Sequence, residues 1–323
     1  MYKTIMVPTD CSGFDREAIR VALRLAERSE AKVRLVRVLS SSAFVGMGPD
    51  GMVAPSEGFR QEQDTALAEL YALAAECRTT TDAEVSVSLE QGPVPDSLAG
   101  YANRHDVGLI VISTHGRSGF SRLSLGSVTD SLIRHTAIPV LVVKPPASYL
   151  NPQVRDAFRR IVVPLDGSAL AEQILPRIAT LAKMEGAELT LLFVLKPHTY
   201  SQQQIPDPSL PWWDKDIAEA RAYLLGIASK LRKSGFAVAT EIVIGENVAE
   251  EITGFAARER ADLVAIATHG RGGLSRMLRG SVTDAVTRSA RTSILVFHPD
   301  RNAVQPEGVG EERVVVSAEP ALV

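Results

Sequence analysis

Along this chain, short continuous apolar runs alternate with longer stretches of helical period. Ile5-Met6-Val7, Val33 to Val38, Leu109 to Ile112 and Val140 to Val143 are β-branched runs bounded by turn residues. Between them, stretches such as 13–29 and 59–78 place apolar residues three and four apart. Strands apolar on both faces are buried between two layers, so the pattern predicts a parallel sheet with helices on either side. Strands are expected at 3–8, 32–38, 84–90, 108–113 and 139–143, with helices at 13–29, 59–78, 94–105 and 127–136. The second half repeats this with strands at 159–165, 188–195, 238–244, 262–267 and 293–297, and helices at 168–185, 214–234, 246–260 and 281–290. The fold class is therefore α/β, two tandem doubly wound domains, each a five-stranded parallel sheet flanked by helices.

The duplication is also written in residues that do not pack cores. Thr114 to Asp130 reads THGRSGFSRLSLGSVTD and Thr268 to Asp284 reads THGRGGLSRMLRGSVTD, identical at twelve of seventeen positions. IMVPTDCS from Ile5 answers IVVPLDGS from Ile161. A repeat of roughly 150 residues is an ordinary domain able to bury its own core. The expected division is a domain over 1–146, a linker over 147–158, a second domain over 159–300 and a tail over 301–323. The apolar last strands of the two halves are expected to cover each other, since exposed edges invite pairing. Two irregular segments, 39–58 and 196–213, follow the second strand of each half and are expected over the ligand edge or packed between the halves.

Composition narrows the class. With 45% hydrophobic and 23% charged residues and a net charge of -3, the chain has no electrostatic footprint for nucleic acid or an anionic membrane. No run reaches the length of a spanning helix and no signal-like stretch opens the chain, so a cytoplasmic protein is expected. Its two cysteines, Cys11 and Cys77, form neither a disulfide framework nor a metal motif.

The candidate chemistry lies where the fourth strand of each half meets the next helix. Gly126-Ser127-Val128-Thr129 and Gly280-Ser281-Val282-Thr283 open helices whose first amides lack internal partners, a natural seat for phosphate. The alternative is a plain helix cap, since Ser127-x-x-Asp130 and Ser281-x-x-Asp284 resemble a capping box. Asp10 and Asp166 end the first strand of each half, where a carboxylate can take hydrogen bonds from a ribose or an adenine amine, or merely start the next helix. Arg117 and Arg271 are either phosphate ligands or exposed surface groups.

VPTD, VPLDGS and the HG-x9-GS loop resemble the universal stress protein family in its tandem form, over residues 1–299. The resemblance implies an adenine nucleotide alpha hydrolase-like, Rossmann-like fold, binding of ATP (or ADP or AMP) with or without Mg2+, and a role in stress response. The family pattern G-x2-G-x9-G-[ST] is matched at Gly116, Gly126 and Ser127 and at Gly270, Gly280 and Ser281, while Ser113 and Ala267 replace its first glycine. By the same resemblance, adenine lies near Pro8, Thr9, Asp10 and Val38, and near Pro164, Leu165, Asp166 and Val194. Phosphates are implied at Gly116, Gly126, Ser127, Val128 and Thr129, and at Gly270, Gly280, Ser281, Val282 and Thr283. His115 and His269 either serve acid-base chemistry or shape the turn. No P-loop, kinase glycine loop or nucleophile elbow is present. The expectation is a nucleotide-responsive module with no catalytic residues, at most a weak ATP hydrolase, with a phosphohydrolase or a nucleotide-free interaction module as alternatives. Pairing of the two domains and assembly into a homodimer are expected, with no nucleic-acid or membrane partner.

Overall fold

The computed structural model describes residues 2–40, 46–47, 53–54, 56–114, 125–144, 157–197, 211–268 and 280–300. The first half runs β1 (Thr4–Pro8), α1 (Arg16–Ser29), β2 (Lys32–Leu39), β3 (Gly46–Met47), β4 (Val53–Ala54), α2 (Glu57–Arg78), β5 (Val85–Gln91), α3 (Val94–Arg104), β6 (Leu109–Ser113), α4 (Ser127–His135) and β7 (Val140–Val143). The second runs β8 (Arg160–Leu165), α5 (Ala169–Glu172), α6 (Leu175–Glu185), β9 (Glu188–Leu195), α7 (Pro211–Lys233), β10 (Val238–Ile244), α8 (Val248–Arg258), β11 (Leu263–Ala267), α9 (Ser281–Ser289) and β12 (Ser293–Phe297).

Each half has a five-stranded parallel sheet, in the order β5-β2-β1-β6-β7 and β10-β9-β8-β11-β12. Successive strand residues point to opposite faces. Ile5 and Val7 join one apolar layer with α1, α2, α6 and α7, while Met6 joins the other with α3, α4, α8 and α9. Both layers draw residues from both halves, because β7 pairs antiparallel with β12 and the two sheets continue as one of ten strands. The seam pairs Val140 with Val296, Leu141 with Leu295 and Val142 with Ile294, all buried.

Polar contacts flank the seam. Lys144 donates from its backbone to Ser293 Oγ and from Nζ to the Thr287 carbonyl, both at 3.2 Å. On the other face, the fully buried Glu185 carboxylate of α6 meets Arg28 at 2.9 Å and Arg24 at 3.5 Å, both from α1. Its second oxygen accepts the Phe158 amide at 2.8 Å, and the Arg24 guanidinium lies 5.1 Å from the Phe158 ring centre. Burial lowers the Arg24 pKa, with Glu185 acting in the opposite sense.

Two departures from the sequence pattern have local causes. The helix expected over 168–185 is interrupted after Glu172. Pro176 lacks an amide hydrogen and its ring would meet the Glu172 carbonyl, so the helix restarts with proline in its first turn, where no donor is needed. Within 39–58, Gly46–Met47 and Val53–Ala54 pair antiparallel as a small hairpin. The rest of that segment from 41 to 55, and 198–210, fall outside the described residues.

Candidate functional site

The chain leaves β1 for β2 on one side and returns to β6 on the other, so the loops after β1 and β6 diverge at the carboxyl edge and leave a crevice. β8, between β9 and β11, repeats this in the second half. Asp10 and Asp166 follow directly at these points. Asp10 Oδ1 accepts the Ser12 amide at 3.0 Å; Asp166 Oδ1 accepts both the Ser168 amide at 3.0 Å and its hydroxyl at 2.6 Å. Pro8, Asp10 and Val38, and likewise Pro164, Asp166 and Val194, are half-buried and thus retain accessible surface at that edge. Thr9 and Leu165 are turned into the core.

Opposite them stand the starts of α4 and α9. Gly126 and Gly280 occupy the N-cap positions with extended backbone and no side-chain cap, a lack shared with α1, α3 and α6, whereas α2, α5 and α8 are capped by Ser56, Ser168 and Asn247. Ser127 and Ser281 are the first helical residues, not caps, so the capping-box alternative does not describe these helix starts. The first backbone bonds within each helix run from Asp130 to the Gly126 carbonyl and from Asp284 to the Gly280 carbonyl. The amides of 127–129 and 281–283 lie ahead of them, at the positive end of the helix dipole.

The glycines also have a packing reason. Gly126 and Gly280 donate to the Thr114 and Thr268 carbonyls at 3.1 and 2.9 Å. An added Cβ would lie 3.0 Å and 2.6 Å from those same oxygens. One turn on, the buried Thr129 and Thr283 donate their hydroxyls to the Ser113 and Ala267 carbonyls at 3.1 and 2.8 Å. These hydroxyls pin each helix to its strand, while Ser127 and Ser281 at the helix starts are exposed. Ser113 itself is half-buried and Ala267 is buried.

The two halves differ beneath the strand-end carboxylates. After Asp10 comes Cys11 at φ 56°, in the left-handed region; after Asp166, Gly167 adopts φ 82°. The cysteine is supported by a relay absent from the second half. Its amide donates to Thr9 Oγ1 at 2.9 Å, and the Thr9 hydroxyl donates to the buried Asp15 carboxylate. Leu165 and Ala171 stand at the matching places. Farther out, Arg37 pairs with Glu69 where Phe193 meets Tyr223 edge-on at 6.1 Å. Burial raises the Cys11 thiol pKa, so it is held as a thiol. Burial, and after it Glu172 and Asp166, raise the Tyr223 hydroxyl.

His115, Gly116, Arg117, His269, Gly270 and Arg271 lie outside the described residues. Among the described residues, no group of three His, Cys, Asp or Glu side chains is arranged to hold a metal ion, and no helix is long and apolar enough to cross a membrane. To Asp130 and Asp284 the structure adds two arginines from the last turns of α4 and α9. Asp130 takes Arg134 at 2.9 Å and Arg288 at 3.1 Å; Asp284 takes Arg288 at 3.0 Å and Arg134 at 3.8 Å. Their sequence signal is an Asp-x3-Arg repeated in both halves.

Comparison with known proteins finds the same family twice along the chain. A family model described as the universal stress protein family matches residues 1–144 and again 157–298. A universal stress protein of Methanocaldococcus jannaschii is 32% identical over 147 residues, 45% of this chain and 84% of that protein. One from Mycobacterium tuberculosis is 25% identical over 328 aligned positions, 94% of this chain and 97% of the relative. The crystal structure of a universal stress protein from Archaeoglobus fulgidus covers 93% of this chain and 97% of its own, with a TM-score of 0.65 at 18% identity, a likeness of fold.

Proposed function

Because the chain belongs to the universal stress protein family, we propose that each half binds an adenine nucleotide, ATP foremost, at its carboxyl edge. Occupancy then serves as a stress-responsive signal to other proteins, without appreciable turnover. The observation that carries this reading is the recurrence, in both halves, of an uncapped glycine helix start opposite a strand-end aspartate at the point where strand order reverses. Phosphates would take the amides of 127–129 and 281–283 and the Ser127 and Ser281 hydroxyls. Asp10 and Asp166 would accept from the ribose or adenine, with Pro8, Val38, Pro164 and Val194 against the base. His115, Gly116, Arg117 and their counterparts His269, Gly270 and Arg271 complete the phosphate end in this reading, with or without Mg2+. The two halves act as one docked unit, and any homodimer forms through surfaces outside the β7–β12 seam. Native mass spectrometry of freshly purified protein, with a melting curve in millimolar ATP, tests it. Bound nucleotide and a stabilisation of about 2.7 kcal/mol per site at 100 times the dissociation constant are expected; an unmoved curve and bare protein refute it.

A second reading, a nucleotide-free interaction module, draws on the internal engagement of Thr129 and Thr283 and the packing reason for Gly126 and Gly280. It requires that ATP leave the protein untouched.

A further inference from the structure

Resting on that nucleotide-binding reading, we propose that the two sites are negatively coupled through Asp130, Arg134, Asp284 and Arg288, so that the first nucleotide bound weakens the second. The seam is antiparallel, so the carboxyl edges of the two half-sheets point in opposite directions and α4 and α9 run head to tail. Each arginine therefore sits in the last turn of its own helix and beside the first turn of the other. Arg288 holds Asp284 at 3.0 Å within α9 and Asp130 at 3.1 Å on α4; Arg134 holds Asp130 at 2.9 Å and Asp284 at 3.8 Å. Among the described residues, two cations thus meet these two first-turn carboxylates, each cation shared by both helices.

An anion seated on the start of α4 lowers the potential around Asp130 and draws Arg288 toward that end, away from Asp284. The first turn of α9 is left more negative, and a second anion there binds less well. The reciprocal shift of Arg134 operates when the second half fills first, as linkage requires. Direct repulsion between the bound phosphates does not depend on how the arginines are shared, so any part of the effect due to it persists in the arginine variants. A nine-residue helix separates its ends by about 13 Å, and exposed charges are screened over about 8 Å at physiological salt.

The test uses the whole chain, titrated with ATP at physiological ionic strength, with native mass spectrometry resolving the states with none, one and two bound. Val38→Trp and Val194→Trp, which crowd the base end of one site without adding charge near the quartet, supply the two single-site constants. If either fails to fold, Ser127→Trp or Ser281→Trp at an exposed position replaces it. The coupling factor is the product of the two stepwise association constants divided by the product of the single-site constants. A factor of about 0.2 or lower is expected, at the modest end of usual couplings. It should return to about 1 in Arg134→Gln/Arg288→Gln, or in Arg288→Gln alone if the double variant does not fold. A role of the quartet confined to holding the halves together would change melting temperature and leave this factor where it was. A factor near 1 in the unaltered protein, an unchanged factor in the arginine variants, or nucleotide binding by only one of the two single-site variants overturns the coupling while the binding reading stands. Absence of any ATP binding overturns both.

Discussion

Leu141 and Leu295 hold the same position in two copies of one fold and face each other across the seam, so the pseudo-two-fold axis of the molecule passes between them. Both are almost completely buried, at 0% and 1% exposure. Leu141→Ala should lower stability by about 2–4 kcal/mol, read from urea unfolding. Leu295→Ala should cost a similar amount, and the double variant should depart from the sum because the two share one site. A change in either single variant below about 0.5 kcal/mol, the size of an ordinary surface substitution, contradicts a core centred on the seam.

The relay from Asp15 through Thr9 to the Cys11 amide predicts a specific non-additivity. Thr9→Val leaves a buried carboxylate without its donor and should cost about 2 kcal/mol. Thr9→Leu combined with Asp15→Ala recreates the apolar pair Leu165 and Ala171 of the second half and should recover more than half of that loss. A combined variant as unstable as the sum of its parts would show that the relay is not a unit.

Gly126→Ala and Gly280→Ala should each lower the melting temperature, and the second by more, because its Cβ would lie 2.6 Å from a backbone carbonyl against 3.0 Å for the first. The cost of such overpacking is about 1–3 kcal/mol. If the helix starts hold phosphate, each variant also loses ATP stabilisation at its own half. Equal melting shifts in the two would set the close-approach argument aside.

Alkaline stability should depend on Tyr2. Its hydroxyl pKa is raised from 10.0 to about 12, chiefly by burial, with Arg177 acting in the opposite sense. Below pH 10.0 the hydroxyl is protonated in folded and unfolded chains alike, and the preference for the buried neutral form is fully present. As pH rises toward 12, the unfolded chain releases its proton first, and about 2–3 kcal/mol of stability is lost at 1.36 kcal/mol per unit. Tyr2→Phe should flatten the fall of stability between pH 10 and pH 12. An identical slope in the variant contradicts this assignment.

The strands were legible in the sequence because a parallel strand buried on both faces must be apolar throughout; Leu109–Ser113 and Ser293–Phe297 stand within a residue of their expected places. The break between α5 and α6 had a visible signal in Pro176, which a count of helical periodicity overrides. The β3–β4 hairpin had none, since two-residue strands carry no period. At the site, the glycine starts and strand-end aspartates were legible from their repetition. Glu185, Arg24 and Arg28 were not, because their meeting depends on how two distant helices dock. Asp130 and Arg288 were half legible: the spacing to the arginine recurs, but only the antiparallel seam reveals that each arginine serves the other helix.

The buried Glu185 bears on partner choice. In the first half Ser29 stands where Glu185 stands in the second, and the places of Arg24 and Arg28 are taken there by Thr180 and Met184. Two first halves docked along this seam would set arginines against a serine; two second halves would bury a carboxylate twice against threonine and methionine, with no cation to meet it. Only the mixed pair satisfies both surfaces, so the seam discriminates by the mismatch of the two like pairs as much as by the match of the unlike one. Produced as separate polypeptides, the halves should seek each other rather than their own kind, which makes this chain a heterodimer carried on one backbone.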